Sequence, residues 1–147
     1  MMVHAGVDYY MACPTQRAAR WVSRAGLASY LFEFAHKPAL YPYNYLATHT
    51  SEIPYVFRIR GGAPRTRAAL YWHITPDEYP LSDAIVTAWR YFAAHGTPSA
   101  SSAGPSAWPA YDERNETWMV FGGPGGIARA EARLKSGACA LWDAAVS

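Results

Sequence analysis

Residues 27–34 read Leu27-Ala28-Ser29-Tyr30-Leu31-Phe32-Glu33-Phe34, bounded by Gly26 on one side and Lys37-Pro38 on the other. An aromatic, apolar run of this length between breakers predicts a buried strand. The segment before it predicts a helix over Asp8–Arg24. Asp8 is a candidate N-cap, Pro14 fits the first regular turn, and Ala18, Ala19, Trp21, Val22 and Ala25 form an apolar stripe ended by Gly26. A helix followed directly by an apolar strand is the pattern of an α/β sheet covered on both faces.

Downstream, Ser51-Glu52 and the apolar Ile53, Tyr55, Val56 and Phe57 predict a short helix or turn after a Tyr- and Pro-rich loop over residues 35–51. Residues 58–80 read as irregular because Gly61-Gly62, Pro64, Pro76 and Pro80 interrupt any long element. A second helix is expected from Ser82, as N-cap with Asp83 in the first turn, to His95-Gly96. Thr97–Pro109 reads as a linker loop, Thr117–Phe121 as a strand, and Gly122–Gly126 as a flexible link. The tail, Ala128–Val146, is expected to be a third helix. About two strands and three helices make an incomplete sheet that is poorly stable alone.

Composition limits what such a chain can do. At 147 residues it is one domain with no second, and 51% hydrophobic against 16% charged residues excludes a disordered tail. Thirteen basic and eleven acidic side chains give a net charge of +2, with no basic run, so neither nucleic acid nor an anionic membrane is expected as a partner. No apolar stretch is long enough to span a membrane. Residues 1–6 lack the charged start and apolar run of a signal peptide.

No Gly-x-Ser-x-Gly elbow is present; the nearest approach, Gly104-Pro105-Ser106-Ala107-Trp108, fails at its last position. Gly122–Gly126 lacks the Lys and Ser/Thr of a phosphate loop. The five histidines show no i, i+4 pair, and no metal or cofactor is expected. Cys13 and Cys139 are too far apart in sequence for a zinc motif, and spacing alone reads them as two unrelated buried thiols. His49 stands out by its setting, on a loop between a strand and a short apolar helix with Glu52 three residues on. A loop histidine can present its imidazole to a nucleophile's proton. It is also a common surface residue.

The segment Tyr45-Leu-Ala-Thr-His49-Thr-Ser-Glu52-Ile-Pro-Tyr-Val-Phe57 resembles the catalytic-histidine segment of the type-B carboxylesterases and cholinesterases. Further motifs follow in the family's order: Asp8-Tyr-Tyr-Met-Ala-Cys13-Pro14, the Leu27–Phe34 strand, Leu81-Ser82…Trp89…Phe92-Ala93…Gly96-Thr97-Pro98, Trp108-Pro109-Ala110-Tyr111, and Cys139-Ala-Leu-Trp142. The resemblance covers residues 8–143 and implies the C-terminal part of an α/β-hydrolase domain.

It implies that His49 is the general base and acid of a serine esterase, with an ester as substrate. Glu52 would be a hydrogen-bonding acid beside it, or a capping carboxylate on the following turn. It implies a Cys13–Cys139 disulfide and a partner in the missing N-terminal part of the hydrolase domain, which would carry the serine, the triad acid and the oxyanion donors. The chain by itself is then expected to be inactive. The sequence departs from the family at Ala47 and Thr50, where glycines are usual. Asn115-Glu116-Thr117 is a glycosylation sequon, and with the disulfide it implies the secretory pathway. The competing readings are a non-catalytic cholinesterase-like adhesion domain and, further off, a small binding protein using the aromatic loop over residues 40–57.

Overall fold

The computed structural model describes residues 6–40, 47–60, 73–99 and 107–145. Parts of the predicted loops, including Tyr45, Gly61-Gly62, Pro64 and Gly104-Pro105-Ser106, lie outside the described residues. The chain is mixed α/β. Helices α1 (Cys13–Arg24), α2 (Ile53–Val56), α3 (Tyr79–His95) and α4 (Ser136–Ala145) accompany strands β1 (Leu31–Phe34), β2 (Thr117–Phe121) and β3 (Ala128–Ala132). The strands form one sheet in the order β1-β2-β3. The described residues therefore hold three strands and four helices, where the sequence suggested two and three.

The extra strand comes from the tail. Ala-Arg-Ala-Glu-Ala over 128–132 has good helix formers, but it follows the Gly122–Gly126 reversal and pairs with β2, so tertiary pairing overrides propensity. The predicted last helix is confined to α4. The first strand is shorter than expected: residues 27–30 lie outside it, and Ser29 O accepts the Tyr111 amide at 2.8 Å instead of extending the sheet. Among the described residues β1 is an end strand.

Residues group into two compact units, one of Met1–Leu31, Trp108–Met119 and Ala130–Ser147, the other of Phe32–Ala107 and Val120–Arg129. In the first, α1 is entered through a π-helical turn, Asp8–Ala12, in which the Cys13 amide bonds Asp8 O. Pro14 has no amide donor and its ring crowds the carbonyl of Tyr10, which accounts for the wider turn just upstream. Asp8 is thus inside the helical run rather than its cap, and its carboxylate pairs with Lys135 at 3.2 Å. Ala19, Leu31, Tyr111 and Trp118 pack into a core flanked by Ala12 and Leu134. Trp108 donates its indole N–H to Leu31 O at 3.1 Å, which gives the Trp-Pro-x-Tyr motif a structural role.

Around this core, Arg20 bridges Asp143 at 3.0 Å and Glu116 at 2.9 Å, and Ser136 donates to Glu116. The Cys13–Cys139 disulfide joins the start of α1 to α4, with both cysteines buried. The pairing implied by the resemblance is present, and the two thiols are not independent.

The second unit is built on α3, whose buried residues are Leu81, Ser82 and Ile85. Trp89 of α3 stacks edge-on with Phe32 of β1 at 5.0 Å and lies 5.9 Å from Phe121 of β2. The helix ends as expected at His95, where Gly96 takes φ +73° and its amide closes on Phe92 O at 2.8 Å. Its start differs from expectation. Ser82 is fully buried inside the helix and donates to Tyr55 O at 2.7 Å. The capping threonine lies two turns earlier, at Thr75, before the 3₁₀ turn Pro76–Glu78 that leads into α3.

Candidate functional site

His49 sits on a tight turn between residue 47 and α2, and its side chain is exposed. The turn is closed from within by Ser51. The Ser51 amide and hydroxyl both donate to Thr48 O, at 3.0 and 2.7 Å, while the Thr48 amide donates back to Ser51 Oγ at 3.2 Å. Ser51 is buried while Thr48 is exposed, so the hydrogen bonds that shape the turn are partly shielded from water. Between them, Thr50 is forced to φ +74°, a left-handed conformation that costs a β-branched residue about 1–2 kcal/mol. A glycine there would carry no such cost.

The turn runs without a break into α2. The Ile53 amide bonds Thr50 O at 3.2 Å, and the Tyr55 and Val56 amides both bond Glu52 O at 3.0 Å. Glu52 caps α2 through its backbone alone; its carboxylate makes no capping hydrogen bond, which removes that reading of the side chain. Pro54 and Tyr55 are the buried face of α2.

Below α2 lies a carboxylate that the sequence reading passed over. Glu78 is 5% exposed and receives five hydrogen bonds. His36 Nε2 (2.7 Å), the Ala39 amide (2.8 Å) and the Tyr55 hydroxyl (2.6 Å) donate to Oε1. The Thr75 amide (2.8 Å) and hydroxyl (3.0 Å) donate to Oε2. Burial alone would push this carboxyl up, but the donors from His36, Tyr55, Thr75 and Ala39 outweigh it and hold it at about 2. The signal was available: Thr75-Pro-Asp-Glu78 before an apolar run is a capping-box pattern. Its other donors come from residues distant in sequence, which no local pattern reveals.

The remaining predicted positions are distributed. Cys13 and Cys139 belong to the other unit, as does Asn115, which is exposed on a turn where its side-chain amide donates to Asp112 Oδ2 at 3.1 Å.

Residues 1–142 match the carboxylesterase family. The chain belongs to this family. Among individual carboxylesterases it is 27% identical to carboxylesterase 1C of Mus musculus and 29% identical to an acylcarnitine hydrolase of the same species, each over 92% of this chain. It is 34% identical to para-nitrobenzyl esterase of Bacillus subtilis (strain 168) over 63% of its length. These alignments cover only 23%, 22% and 17% of the respective relatives, so the chain spans less than a quarter of the carboxylesterases it matches. Carboxylesterases are carboxylic-ester hydrolases, and the α/β architecture described above is part of such a domain.

Proposed function

We propose that this chain supplies the histidine of a serine carboxylesterase, with His49 as general base and then general acid. The serine, the triad carboxylate and the oxyanion donors would come from a part of the hydrolase domain outside these 147 residues. In that setting His49 takes the serine proton as the oxygen attacks the ester carbonyl. It returns the proton to the departing alkoxide, then activates water against the acyl-enzyme. Glu52 would steady the loop or the imidazole from the side and is not the triad acid. The substrate is a small ester, and no cofactor takes part.

The observation that carries this reading is the exposed imidazole on a turn held internally by a buried serine. Replacing His49 with Ala in the product of the complete gene should lower kcat for a p-nitrophenyl ester by about 10⁴-fold or more. Retained turnover would overturn the assignment. A native band several times heavier than 16.2 kDa, detected with an antibody to residues 58–80, is the accompanying expectation. A band at the mass of the chain itself would favour the non-catalytic interaction reading. The disulfide and the exposed Asn115 sequon support passage through an oxidising, glycosylating compartment.

A further inference from the structure

We infer that Glu78 is a positioning residue for His49, acting through the Tyr55 hydroxyl. The inference rests on the reading of His49 as the catalytic base. Tyr55 is gripped at two points: its hydroxyl donates to Glu78 Oε1 at 2.6 Å, and its carbonyl accepts the buried Ser82 hydroxyl at 2.7 Å. Both grips come from the same stretch of chain, the 3₁₀ turn and the first turns of α3.

From Tyr55 an unbroken series of backbone bonds, through Glu52 O and Thr50 O, leads to the turn that Ser51 closes on Thr48 O. The lever from Tyr55 to His49 is therefore short and internally bonded, so its direction is set where Tyr55 is anchored. The carboxylate is itself held from two sides, since His36 and Ala39 reach it from a distant segment and Thr75 from the start of its own turn. A base that must meet a nucleophile's proton within hydrogen-bond reach loses rate steeply when displaced by an ångström.

Glu78→Gln leaves one acceptor oxygen facing five donors and is expected to impair folding. Tyr55→Phe removes a single donor, keeps the ring, and is the decisive variant. In the product of the complete gene, Tyr55→Phe should lower kcat about tenfold with KM within about twofold. Amide exchange at Ile53, Tyr55 and Val56 should accelerate by about tenfold or more. Unchanged kcat and unchanged exchange in Tyr55→Phe, with His49→Ala inactive, would overturn the role of Glu78 and leave His49 as the base. A fall in melting temperature without the kcat loss would also overturn it, since that is the signature of a structural contact only. Full activity in His49→Ala would remove the base and the positioning role together.

Discussion

Gly122 lies against the backbone of His36 so closely that a Cβ on Gly122 would stand 2.5 Å from the His36 Cβ and 3.0 Å from its Cα. The glycine also holds φ +77°, and its amide closes the β2–β3 connection on Ile127 O at 2.9 Å. His36 is thereby held between Gly122 and the Glu78 carboxylate. Gly122→Ala combines a left-handed backbone with a backbone clash and should destabilise the protein by about 3 kcal/mol. Urea denaturation of the variant measures this; a loss below about 1 kcal/mol would show that the strand ends yield easily.

The Glu78 carboxyl makes stability depend on pH in one direction. Its folded-state value of about 2 lies below the ordinary 4.5, so the unfolded chain binds its proton first as the pH falls. The contribution is fully present above about pH 5 and is lost progressively between about 4.5 and 2. Its size is on the order of 3 kcal/mol. Acid unfolding followed by tryptophan fluorescence should show this loss in the wild type. The slope over the same window should flatten in any folded Glu78 variant, and an identical slope would contradict the prediction.

Glu78 shows in the sequence only as the partner of Thr75 in a capping box, and its bonds to His36, Ala39 and Tyr55 do not show at all, because those donors lie far away along the chain. Helices α1 and α3, the strand Thr117–Phe121 and the short helix α2 were readable because each carries its own period, breakers or flanking residues. The motif order pointed to His49 and to the Cys13–Cys139 pair, although spacing alone gave no pairing. What failed was anything decided by tertiary context. Ala128–Ala132 has the composition of a helix and became a strand because β2 offered it a partner. Ser82 looked like a cap but is a buried donor to Tyr55, the capping function having fallen to Thr75 and Glu78.

Thr50 gives a test of the turn that carries His49. With φ +74° it bears strain that a glycine would not, offset in part by the greater freedom glycine has in the unfolded chain. Thr50→Gly should raise stability by about 1 kcal/mol, read as a higher urea midpoint at unchanged slope. A lower midpoint would mean that the threonine side chain contributes more than its backbone costs.

The Cys13–Cys139 bond closes a loop with a sequence separation of 126. In the chain-entropy model this contributes about 5 kcal/mol. Cys13→Ser should therefore leave a chain with greatly reduced stability at neutral pH, measured by denaturant titration. Thiol titration of the unreduced, denatured wild type should find none free; two titrating thiols would contradict the pairing.

That same bond changes what a protease can do to the molecule. A cut at any single peptide bond between Cys13 and Cys139 opens the loop but releases nothing, because the two new pieces stay joined through sulfur. A nicked molecule would keep its mass under non-reducing conditions and fall apart only when a reductant is added. Cleavage and separation are two distinct events for this chain, and the second is under redox control.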